Sequence, residues 1–436
     1  MYNALEMRYM SPMTIFLIIG YLLVLLRGPL SFWFGGLSNF IVLLGFLVPA
    51  LVFTIRKLNW KVSLNGTVVS AFLFNLYILI LAALGDEPIR SFLGLMLFNY
   101  YFILFYFIHL AQCNNLSRLS DIKYVIWFIL VVLAAFSSVE IIFDFPLSTF
   151  RQYRNPPPLD RIYAPFRISS SIGSTLPFGV VMSYVCIYFF NRLLYRYSSA
   201  NTIALIISIF LVLGTYSRGA QGTVITGLII ASFIRFIIGV NSPGLLKLKL
   251  SGFYLFGVTI GSLSLLGHAF LPKALTQRIY NIFNWTTETS NVNRFGSWKG
   301  VIGTLENWQD WLFGRSLGTY GNALSYFDLP VGVTLKTVTE SYYLKILAET
   351  GLLGLFLFMC IIISAGYHTY RSYCLSNNIE TKVLASFCFS ALFAHGIELL
   401  FLQSLESTSV GFIFMYTLAI SSSISSKAEY EAKYGG

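Results

Sequence analysis

A ladder of apolar segments runs almost the whole length of the chain and leaves few choices of fold. From Met13 to Ile424, stretches of about 17–25 mostly apolar residues follow one another, each long enough to cross a hydrocarbon layer about 30 Å thick. They fall near residues 13–27, 37–55, 64–84, 91–110, 122–143, 173–195, 200–216, 220–240, 250–271, 341–366, 381–402 and 405–425. Only 11% of the residues are charged, 56% are hydrophobic and the mean hydropathy is +0.72, a balance foreign to soluble domains. Lipid offers no partner to backbone polar groups, so such segments cross it as helices. The expected fold class is all-α: a polytopic membrane bundle of about 12 transmembrane helices forming a single domain over residues 1–436. The first segment has no small-residue cleavage site, and Glu6 and Arg8 precede it, so it is expected to stay as a span.

Two loops interrupt the ladder, at residues 144–172 and, larger, at 272–339. The net charge of +11 would suggest nucleic acid in a soluble protein. In a membrane protein the positive-inside rule comes first, and it puts the N-terminus and the tail at 426–436 in the cytoplasm. The short outside turns then hold only Arg27, Arg90 and Arg218. The long outside loops break the bias, with Arg151, Arg154, Arg161 and Arg167 in the first, and Arg294, Lys299, Arg315 and Lys345 among those in or beside the second. Their cations are expected to bind an anion, such as a phosphate or pyrophosphate, with no nucleic-acid partner. The polar end SSSISSKAEYEAKYGG is expected to be disordered.

The first loop carries three consecutive prolines at 156–158, a stiff extended stretch. In the second, NRFGSWKGVIGTLENWQDWLFG places Trp298, Val301, Ile302, Leu305, Trp308 and Leu312 on one face of a helix, with Lys299, Glu306 and Asp310 opposite. This reads as one amphipathic helix lying on the membrane surface. Arg294 stands at its start, in the middle of the apolar face, where a guanidinium either snorkels or meets an anion. The same choice holds for Arg218 in the turn TYSRGAQGT, where Gly219 and Gly222 permit close approach.

TESYYLKILAETGLLG opens the tenth span, with Glu340 in its first turn. There it serves either as a helix-start acid or as a general base at the water–lipid boundary. Glu349 lies deeper and reads as structural, and the Gly351–Gly354 pair as close helix packing. His395 and Glu398 share a face of the eleventh span, and Glu406 follows near the next span's end. Ionisable residues in a membrane are functional candidates, and a structural polar pair is an equal alternative. The five cysteines and four histidines are scattered, with no disulfide framework and no metal-ligand spacing, so no metal or cofactor is expected.

The order of these pieces resembles the O-antigen ligase/polymerase superfamily. The matching residues are Ser217-Arg218-Gly219, Arg294 with Trp298, Tyr343-Leu344 through Glu349, Gly351 and Gly354, and Arg167 followed by Gly173 and Pro177. Ligases of that superfamily usually carry His-Asn before the Tyr-Leu pair. This chain has Glu340-Ser341, a form that sugar-repeat polymerases often carry. The resemblance implies a GT-C-like bundle in the bacterial cytoplasmic (inner) membrane, with its site facing outward. It implies transfer of a glycan from undecaprenyl pyrophosphate to an acceptor hydroxyl, with membrane lipids, a chain-length regulator and a flippase as further partners. In that reading Glu340, Arg218 and Arg294 are catalytic. Arg167, Arg161, Tyr343, Lys299 and Glu398 are substrate-binding. The alternatives are a ligase acting on lipid A core, a peptidoglycan-type glycan polymerase, and a transporter or lipid-linked glycan flippase. Against the last, the suspicious charges sit at one face rather than mid-membrane.

Overall fold

The computed structural model describes residues 11–26, 29–30, 64–85, 87–113, 121–143, 167–238, 289–320 and 340–434. The α-helices among them are α1 (Pro12–Leu25), α2 (Gly66–Leu84), α3 (Pro88–Cys113), α4 (Ile122–Phe143), α5 (Thr175–Tyr195), α6 (Ser199–Gly214), α7 (Arg218–Phe233), α8 (Thr289–Ile302), α9 (Trp308–Phe313), α10 (Tyr342–Leu375), α11 (Ile379–Glu398) and α12 (Thr408–Tyr434). A π-turn at Ile234–Ile238 extends α7, and 3-10 turns cover Ser170–Ile172 and Ser404–Glu406. No strand occurs among the described residues.

Every expected span that falls on described residues is a helix; the segments at 37–55 and 250–271 lie outside them. Among the described residues, 7 helices are long and apolar enough to cross a membrane, and α1 and α6 are shorter apolar helices. The architecture is that of a polytopic membrane bundle.

Burial sorts the helices into layers. Thr408–Ser425 of α12 is buried along its whole length and forms the centre. A central helix touches protein rather than lipid, so it can carry hydroxyls. Ser421, Ser422 and Ser423 bond back to carbonyls three residues earlier. The His109 imidazole meets the Ser422 hydroxyl at 2.7 Å, and the Asn65 amide donates to the Ser422 carbonyl at 2.6 Å. By contrast α2 and α6 present Phe72, Leu76, Leu79, Ile203, Ile206 and Phe210 outward, as a lipid-facing layer requires. Phe74 joins α2 to α3 and α10, with ring centroids 6.3, 5.8 and 5.8 Å from Phe98, Phe102 and Phe358. Such pairs add about 0.5–1.5 kcal/mol each beyond the area they bury.

Three expectations need correction. The polar C-terminal end is helical through Tyr434, because α12 continues without a break from the buried core. Lys345, counted with the loop cations, lies inside α10 and is 1% exposed. The amphipathic segment is two helices, α8 and α9. The Asp310 carboxylate turns back to accept the N–H groups of Glu306 at 3.2 Å and Asn307 at 3.3 Å, which starts a new helix after Gly303. Of its apolar face, Val301 and Leu305 are buried, whereas Trp308 and Leu312 are exposed beside Trp311.

Candidate active site

The segments bearing several of the residues singled out in the sequence attach to the short turn that follows α11. The Leu399 carbonyl accepts the Tyr342 N–H at 2.9 Å and the Ser341 hydroxyl at 3.4 Å, which fixes the N-terminus of α10 against it. Ser341 is also the N-cap, its hydroxyl accepting the Leu344 N–H at 3.4 Å. Tyr343 donates its hydroxyl to the Gly396 carbonyl at 2.9 Å, so this substrate-binding candidate ties α10 to α11. On another side, Gly219 in the first turn of α7 sits against Leu402. A Cβ there would lie 2.3 Å from the leucine Cδ1, so the absence of a side chain sets this approach. Gly222 has nothing within 4 Å of such a position, and its expected role in close approach is not seen. The Trp298 ring of α8 lies 6.1 Å from that of Phe401.

Glu340, Arg294 and Arg218 thus ride on three segments attached to one turn. Glu340 lies just before the N-cap of α10 rather than in its first turn. Arg294 lies inside α8, which starts five residues before it, rather than at the helix start. The Arg294 Nε donates to the Glu340 carboxylate in a direct ion pair. Its side chains remain 27% and 40% exposed, so a ligand can reach the pair from outside the bundle. Arg218 is the first residue of α7, half-buried, behind the N-cap Ser217. Arg218 and Glu340 therefore stand at the N-termini of α7 and α10, and both termini favour negative charge.

Arg167 has a different place from Arg294. Its Nε donates to the Thr215 carbonyl at 3.0 Å and its Nη2 to the Tyr216 carbonyl at 3.3 Å. Those residues form the tight link between α6 and α7, and Tyr216 adopts a left-handed φ of 54°. That conformation costs roughly 1–2 kcal/mol for a non-glycine residue, and the Arg167 fork helps hold it one residue before the Ser217 N-cap. Glu140, not singled out in the sequence, supports the same corner from α4. Buried, it accepts the Ser169 and Ser170 N–H groups at 3.0 and 2.7 Å and the Ser169 hydroxyl at 2.7 Å. Its signal in the sequence was a lone carboxylate in the apolar run of the fifth span.

Lys299 is exposed and stands about 140° around α8 from Arg294. Glu398 is buried behind the turn, its carboxylate 2.7 Å from the Ser404 hydroxyl and 3.6 Å from the His395 Nε2, so the expected pair on α11 is in contact. Arg161 lies outside the described residues.

The Gly351–Gly354 motif breaks α10 rather than simply packing it. Gly351 has φ 68° and ψ −172°, which releases carbonyls from the helix ladder. The Arg315 N–H then donates to the Ala348 carbonyl at 2.8 Å, and the Tyr77 hydroxyl to the Thr350 carbonyl at 2.8 Å. The end of α9 docks into this break. Glu349, two residues before Gly351, accepts the Tyr320 N–H at 2.8 Å.

Residues 203–359 match the family model described as O-antigen ligase. Over that stretch the chain is similar to the O-antigen ligase family. The matched stretch runs from α6 into α10 and takes in Arg218, Arg294, Glu340, Tyr343, Glu349 and both glycines, whereas Arg167 and Glu398 lie beyond it. No curated protein matches the chain. That likeness supports a membrane enzyme of the ligase/polymerase type; members of the family are glycosyltransferase-like, with lipid-linked glycans as their substrates.

Proposed function

We propose that the chain polymerises undecaprenyl-pyrophosphate-linked oligosaccharide repeat units at the outer leaflet of the bacterial cytoplasmic membrane, without a metal. The observation that carries this reading is the Arg294–Glu340 ion pair at the N-terminus of α10. A cation that binds phosphate and a carboxylate that takes a proton are the two groups such a transfer needs, and here they touch.

The acceptor hydroxyl oxygen attacks the anomeric carbon of the donor glycan and forms the new glycosidic bond. The bond from that carbon to the pyrophosphate oxygen breaks, and its electron pair leaves with the lipid pyrophosphate. The hydroxyl proton passes to Glu340. Negative charge grows on the leaving oxygen, and Arg294 and Arg218, fixed before the reaction begins, stabilise it. A pyrophosphate carries more charge than a carboxylate, so it displaces Glu340 from Arg294 on binding. The displacement frees the carboxylate to act as base only when a donor is in place.

Glu340-Ser341 stands where ligases usually carry His-Asn, which favours polymerase. The family description favours the ligase reading, transfer to lipid A core. Purified protein given lipid-linked repeat units decides between them. A ladder of lengthening lipid-linked chains supports the polymerase. Transfer only when lipid A core is added supports the ligase, and no transfer to either acceptor removes both.

A further inference from the structure

The second contact between α8 and α10 lies deep in the bundle, around a buried carboxylate that the reaction above leaves without a role. Glu349 and Lys345 are 0% and 1% exposed, one turn apart on α10. The Lys345 ammonium forms an ion pair with Glu406, lies 4.0 Å from the Glu349 Oε2 and stands 4.7 Å from the centroid of the Phe98 ring. The other Glu349 oxygen accepts the Tyr320 N–H at 2.8 Å. Tyr320 is itself 1% exposed and forms a buried cluster with Val301 and Ala348. Its hydroxyl bonds that of Thr304, which donates to the Val301 carbonyl at 2.6 Å.

An unbroken line of contacts therefore runs from Glu349 through Tyr320 to the last turn of α8. Val301 lies seven residues after Arg294, two helical turns on and on the same face. On the other segment, Glu340 lies two residues before the start of α10 at Tyr342, and Ala348 six residues after it. The helical stretches span about 10 Å and about 9 Å at 1.5 Å per residue, so α8 lies beside α10 with a contact at each end. One end is the exposed Arg294–Glu340 pair, which a donor opens. The other is the buried clamp around Glu349, which a donor does not reach.

We propose that Glu349 is a positioning residue: through the Tyr320 backbone and the Val301–Thr304 turn it sets the height and rotation of α8, and so holds the Arg294 guanidinium at the pyrophosphate site. The proposal rests on the reading of Arg294 as the donor's phosphate ligand. Lys345 keeps the Glu349 carboxylate in place, and removal of that carboxylate leaves Lys345 and Glu406 as a matched pair. Loss of Glu349 is therefore expected to spare the bundle while freeing the clamp.

The test measures affinity for undecaprenyl pyrophosphate with purified full-length protein in detergent. Arg294→Ala should weaken binding about tenfold or more, the worth of a charge-assisted contact. Glu349→Leu should weaken it by a similar factor at unchanged yield of monodisperse protein. Glu349→Gln keeps an oxygen for the Tyr320 N–H and should bind within about threefold of the native protein. The double variant Glu349→Leu/Arg294→Ala should bind no more weakly than Arg294→Ala alone, because Glu349 acts through Arg294. Additive losses, or native affinity in Glu349→Leu, overturn the positioning role while the Arg294 arm stands. Native affinity in Arg294→Ala instead removes the donor-site reading itself. If Glu349→Leu yields no folded protein, Thr304→Val cuts the same line without touching the ion cluster. It should weaken binding in an Arg294-dependent way, and native affinity there is the refutation.

Discussion

Replacing Gly351 with alanine should unseat α9 from α10 and abolish activity. Its φ of 68° and ψ of −172° lie in a region almost reserved for glycine, and a side chain there costs about 1–3 kcal/mol in backbone strain. A Cβ at this position would stand 2.2 Å from the Leu312 carbonyl oxygen and 2.3 Å from its carbon. Both are backbone atoms, so relief requires moving the end of α9, at a further cost of about 1–3 kcal/mol. The total of about 2–6 kcal/mol is a large share of a typical folding stability of about 5–15 kcal/mol. Apparent melting of the detergent-solubilised protein, followed by tryptophan fluorescence, measures it. Gly296→Ala serves as the control: it lies inside α8 with nothing within 4 Å of its added Cβ, so it should melt at or slightly above the native temperature. Native melting and native activity in Gly351→Ala would mean that the break in α10 does not hold the loop helices.

Arg218→Ala and Arg294→Ala should each abolish polymer formation at near-normal protein levels. Lysine replacements should be clearly impaired too, since they lose the guanidinium fork; long chains from both alanine variants would leave these residues as snorkelling cations. Activity should survive EDTA, and a loss restored by Mg²⁺ or Mn²⁺ would point to a metal requirement absent from this account. Single cysteines at Ser148 and Ser290, each in a cysteine-free background, should react with an impermeant thiol reagent in intact cells or spheroplasts. Labelling only after lysis would reverse the topology.

The ladder of spans was legible because lipid imposes long apolar runs, and each run on described residues became a helix. The shared attachment of the segments bearing Arg218, Arg294 and Glu340 was legible only as an order of motifs; the turn at 399–402 that they meet carries no signal of its own. Periodicity misled at α8 and α9, since Trp298, Val301, Leu305 and Trp308 keep helical spacing across a break that the Asp310 side chain makes. Gly351 and Gly354 match the small-residue spacing of packed helices, and spacing alone does not distinguish that from a backbone break. The Arg167 guanidinium has the chemistry of a phosphate ligand, yet the carbonyls of Thr215 and Tyr216 receive it, a pairing across 48 and 49 residues that no local pattern announces. Glu349 was readable as structural, but its partner Tyr320 is set by tertiary folding.

In the proposed reaction Glu340 is both the resting partner of Arg294 and the base of the transfer. Turnover and donor affinity of Glu340→Gln, measured on the same purified protein with lipid-linked repeat units, test it most directly. The amide keeps the shape but gives up the charge that competes with pyrophosphate. Affinity for the lipid pyrophosphate should therefore hold or rise, while turnover falls by about 10²–10⁴, the usual worth of a positioned base. Native turnover, or a donor affinity that falls in step with activity, would contradict the account and leave Glu340 as a helix-start residue.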